Sequence, residues 1–150
     1  MTHVLRLRLA AALTAAAALI HISATFGHAK EWWVFAALFA AAAALQLAWA
    51  RAVWNGGPQR LVWAGLWLGL GLIGAWALSR TTGLPFGPDA GHAEPVGAAD
   101  LACTVDELLA CVLAASTLTR IRSAVVLEFA GLAALVATFL VMASGLGHTT

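Results

Sequence analysis

Charge is what this sequence lacks most. Only 8 lysines and arginines and 7 aspartates and glutamates occur in 150 residues, about a tenth of the chain. A soluble domain carries roughly a quarter charged residues. With a formal net charge of +1 there is no basic surface for nucleic acid, which is excluded as a partner. There is no tyrosine, and the 2 cysteines stand eight positions apart, at Cys103 and Cys111. On one helix that spacing is a rise of about 12 Å, too long for a disulfide. Also missing are a Gly-rich phosphate loop, CxxC, HExxH and GxSxG, so no catalytic constellation stands out.

What is present is apolar length, with 62% of the residues hydrophobic. A spanning helix needs about 20 mostly apolar residues. Runs at 9–26, 33–50, 61–78 and 124–146 meet this, and a fifth at 101–118 does so despite Asp106 and Glu107. The reading is an all-α, polytopic membrane protein. It is a single transmembrane domain of five helices (about 9–27, 32–50, 61–79, 101–119 and 124–146), with a loop over 80–100.

Basic residues orient it. Arg6, Arg8, Arg51, Arg60, Arg120 and Arg122 fall before or between spans on one side, and only Lys30 and Arg80 on the other. The positive-inside rule then places the N-terminus in the cytoplasm and the 80–100 loop outside. Trp32, Trp33, Trp49, Trp54 and Trp63 lie where interfacial belts would be. An alternative for the first segment is a signal peptide, with Arg6 and Arg8 ahead of an apolar stretch and a passable cleavage site at Ile22-Ser23-Ala24. Gly65 and Gly69 let helix backbones approach, either inside the bundle or in a homo-oligomer or larger membrane complex. Gly83 is placed to end the third helix in a left-handed cap. The segment 83–88 is expected to pack on the outer mouth, with Arg80 within reach of Glu107, Asp106 or Asp89.

Ionisable groups within spans mark function or obligatory pairing. By helix rise, His21 lies about 9 Å and Glu107 about 10 Å below the outer ends of their helices. The two are therefore expected to face each other. Thr14, His21 and His28 recur every seven residues, and Cys103, Glu107 and Cys111 every four. Imidazole, carboxylate and thiolate make a ligand set for Zn, Cu or Fe. The candidate metal ligands are His21, His28, Glu107, Cys103 and Glu31, with Arg80 as a charge partner. Gln46 and Glu128 are each placed about 6 Å inside the opposite boundary, where they would form a structural pair. A bis-histidine haem would need His148 or His92 opposite His21, and both lie nearer the surface. Two other readings stay open: an accessory subunit whose polar residues only lock helices, and a small transporter or proton relay through His21 and Glu107.

Ser79-Arg-Thr-Thr-Gly-Leu-Pro-Phe-Gly-Pro88, with His28-Ala-Lys-Glu31-Trp32 upstream, resembles a group of uncharacterised small multi-pass membrane proteins of high-GC bacteria that carry this outer loop. The resemblance spans most of the chain. It implies no particular activity and points only to these loop residues as the place to look; the location expected from the spans is a bacterial plasma membrane.

Overall fold

The computed structural model describes residues 3–118 and 125–143, except for the side chains of 125–129 and 143. The chain is all-helical: α1 (His3–His28), α2 (Trp33–Trp54), α3 (Gln59–Thr81), α4 (Ala98–Leu118) and α5 (Val125–Ala143). Alanine and leucine, the strongest helix formers, dominate each element, and breakers sit between them. Asn55, Gly56 (φ 83°) and Gly57 turn the chain after α2, and Pro58 caps α3. After α3, Thr82 is the cap and Gly83 has φ 77°, the left-handed exit expected there.

Four helices, α1 to α4, are long and apolar enough to cross a membrane, as in a multi-pass membrane protein. Such helices satisfy their backbone groups internally, as lipid demands. The doubtful span changes place. The stretch with Asp106 and Glu107 qualifies by length and composition, since α4 runs from Ala98 to Leu118, and both acids turn inward, 0% and 4% exposed. The shorter element is α5, whose described apolar stretch is Ala130–Met142. Arg120, Arg122, His148 and residues 144–146 lie outside the described residues.

Half of the α1 and α4 spans is buried, against 28% and 17% for α2 and α3, so α1 and α4 form the centre. Small side chains allow this. Ala10, Ala11, Ala17 and Ala18 of α1 are fully buried, with Leu13 meeting Leu113 and Ala114 in one core. Without a hydrophobic drive in lipid, close packing of small residues is what holds helices together. Gly65 and Gly69 serve this purpose inside the chain. A Cβ on Gly65 would enter the Trp49 ring, and one on Gly69 would strike Cys111 Sγ. The Trp49 indole also donates to the Leu61 carbonyl at 2.6 Å, tying α2 to the start of α3.

Candidate metal centre

The polar residues of α1, α2 and α4 meet at one buried point. His21 Nδ1 is 3.0 Å from Gln46 Oε1, and Gln46 Nε2 donates to Glu107 Oε1 at 2.7 Å. His21 Nε2 lies 3.8 Å from Glu107 Oε1 and 3.4 Å from Cys103 Sγ. One ligand atom from each of His21, Cys103 and Glu107 falls within 4.8 Å of the others, and all three residues are buried. His21 and Glu107 therefore do face each other.

The amide between them fixes the imidazole. Gln46 donates its NH2 to Glu107 and turns its oxygen towards His21. His21 must then carry its proton on Nδ1, and the lone pair on Nε2 points at Cys103 and Glu107. A second hydrogen bond of this kind is what usually orients a metal-binding histidine. Among the described residues Cys103 Sγ otherwise reaches the Ala17 carbonyl, at 3.8 Å. Beside Glu107 and Gln46 lies a void of about 20 Å³, lined also by Thr14, Cys111 and Gly69. It has room for about one water.

Gln46 was expected elsewhere, near the other boundary beside Glu128. The correction comes from helix length: α2 runs on to Trp54, which puts Gln46 about 12 Å from that end. Its side chain then extends into the bundle between α1 and α4. The Glu128 side chain lies outside the described residues.

His28 and Glu31 stay apart from this centre. They pair with each other at 2.6 Å, with 28% and 62% of their side chains exposed. His28 stacks on Phe39 at 4.7 Å between ring centres, and His21 packs on the same phenyl at 5.5 Å. Phe39 thus lies against both imidazoles.

Arg80 also has other partners than expected. It donates through NH1 to Glu94 and through NH2 to Asp100, the latter at 2.8 Å. Glu94 N–H bonds the Ser79 carbonyl, which folds the loop back along α3. Asp100 stands in the first turn of α4, where it also accepts the Gly97 N–H at 3.0 Å. Asp106 and Glu107 are one to two turns deeper and out of this network. The segment after Gly83 packs against the start of α2: Phe86 lies 6.2 Å from Phe35 and 6.5 Å from Trp32, and Gly87 abuts Phe35.

One buried pair escaped the sequence reading. The Thr138 hydroxyl donates to Asp106 Oδ2 at 2.7 Å between α5 and α4. Asp106 Oδ1 is buried without a hydrogen-bond partner among the described residues. The signal was there: adjacent residues on a helix diverge by about 100°, so Asp106 and Glu107 had to face different neighbours. No known protein family matches the chain, and neither a curated protein nor a solved structure does.

Proposed function

We propose that this chain is a five-span protein of a bacterial plasma membrane, N-terminus cytoplasmic, that binds a transition-metal ion through His21, Cys103 and Glu107 in the outer half of its bundle. The observation that carries the reading is the aim of His21 Nε2, whose other nitrogen is engaged by Gln46. Zinc bonds of about 2.0–2.3 Å in a tetrahedron set ligand atoms about 3.3–3.6 Å apart. The His21–Cys103 and His21–Glu107 separations of 3.4 and 3.8 Å come within a few tenths of an ångström of this, and metal binding would draw Cys103 and Glu107 together from their present separation of within 4.8 Å. A mixed nitrogen, sulfur and oxygen set suits Zn²⁺ or copper, and three protein ligands leave a fourth position open. Binding takes the thiol proton off Cys103, so uptake releases a proton. The basic-residue pattern at Arg6, Arg8, Arg51 and Arg60 supports the orientation.

Metal analysis of detergent-purified protein tests this. One ion per chain is expected, lost in Cys103→Ser and Glu107→Gln. With Co²⁺ as the probe, a thiolate-to-metal charge-transfer band should appear and vanish in Cys103→Ser. The continuous His21–Gln46–Glu107 hydrogen bonding favours a second reading, an accessory subunit in which these residues only join helices. Folded protein that takes up no Zn²⁺, Cu⁺ or Co²⁺ would select that reading over the metal site.

A further inference from the structure

At the opposite end of the bundle, α1 and α2 leave a groove of about 330 Å³ between them. Its walls are Ala11, Ala12, Ala15, Leu47 and Ala50, and its mouth is formed by Arg51, Trp54 and Asn55. From Leu47 to Asn55 is eight residues, so the groove runs about 12 Å along the helices. Alanine is what opens it: side chains this short leave a furrow between two helices that otherwise pack closely. The mouth has the opposite chemistry. Arg51 is exposed, and Arg8 lies over the Trp54 ring at 5.6 Å from its centre. Among the described residues no carboxylate pairs with Arg8 or Arg51. A furrow with apolar walls, ending at an arginine, an amide and a tryptophan with a second arginine over its ring, matches a molecule with an apolar chain and an anionic head.

We infer that this groove binds one anionic phospholipid, its acyl chain along Ala11, Ala12 and Ala15 and its phosphate at Arg51 and Asn55. Basic pockets between helices at the headgroup level recognise such lipids, and Trp54 sits at the depth aromatic rings prefer. The continuity of alanine walls with Arg51 and Asn55 separates this from loose association of lipid with a basic surface, since chain and phosphate are held together. The inference does not depend on the metal site.

Native mass spectrometry of the full chain in detergent tests it, with phosphatidylglycerol and phosphatidylcholine of identical acyl chains as probes. Phosphatidylglycerol should be retained at one per protein and phosphatidylcholine should not. Arg51→Gln should weaken retention roughly fivefold, the effect of one headgroup-level charge, and Ala12→Leu should abolish it by filling the furrow. Arg60→Gln, exposed at the same end but off the groove, is the control and should retain lipid as the parent does. Equal retention of the two lipids would overturn the proposal, as would equal losses in Arg51→Gln and Arg60→Gln. Helical circular dichroism of each variant guards against misfolding. Should Ala12→Leu fail to fold, the comparison of the two arginine variants still decides.

Discussion

His21 and Glu107 stand 3.8 Å apart, and each is hydrogen-bonded to an opposite end of the same side-chain amide, that of Gln46. The amide is 1% exposed, so bulk water does not compete with it for either group.

Gln46→Leu should therefore do two separable things. It leaves two buried polar groups without their partner, at about 1–3 kcal/mol each. It also lets the imidazole rotate, which should weaken metal binding about 10–100-fold. Thermal melts of the metal-free protein read the first effect, and competition with a chromogenic chelator reads the second. Unchanged affinity in a folded variant would show that the amide does not orient the ligand.

Thr138→Val removes the one donor to Asp106 found among the described residues, and should cost about 1–3 kcal/mol. Asp106→Leu combined with Thr138→Val replaces both partners by apolar groups and should recover most of that loss. Unfolding of these two variants and of Asp106→Leu alone in mixed detergent micelles checks the sign and the non-additivity.

Arg80→Gln should release the loop between α3 and α4 without melting either helix. The guanidinium holds Glu94 and Asp100 together, and both carboxylates are more than a third exposed. The expected result is faster proteolytic cleavage between residues 82 and 97 with unchanged helical circular dichroism.

Gly65→Leu places a side chain where the Trp49 ring already sits. Overpacking of this kind costs about 1–3 kcal/mol, and it should also disturb the indole hydrogen bond to Leu61. Lowered thermal stability with altered tryptophan fluorescence is expected. Trp67→Leu, on a ring 71% exposed, should leave stability nearly unchanged.

The helices were legible because apolar length and turn residues such as Asn55-Gly56 and Gly83 act locally. The meeting of His21 with Glu107 was legible for a similar reason, since helix rise converts sequence distance into depth. Cys103, four residues from Glu107, follows with it. Gln46 was misplaced because depth counted from an end inherits the error in that end, and α2 runs four residues past Ala50. Arg80 was misassigned because its partners depend on how a loop folds back, which no periodicity records. Thr138 was missed because one hydroxyl in an apolar run carries no signal until the facing helix is known. His28 and Glu31 show the converse: a shared stripe with His21 did not bring them into the cluster.

The centrality of α1 has a consequence for biogenesis. α1 leaves the ribosome before α2, α4 and α5, which later assemble on it, and it carries an imidazole about two turns from its C-terminal end. Its first available acceptor, Gln46, is only 25 residues away and arrives with the next helix. The α1–α2 hairpin can thus shelter His21 co-translationally, long before Cys103 and Glu107 are made. When α4 inserts, Glu107 takes the NH2 of that amide and leaves its oxygen to His21.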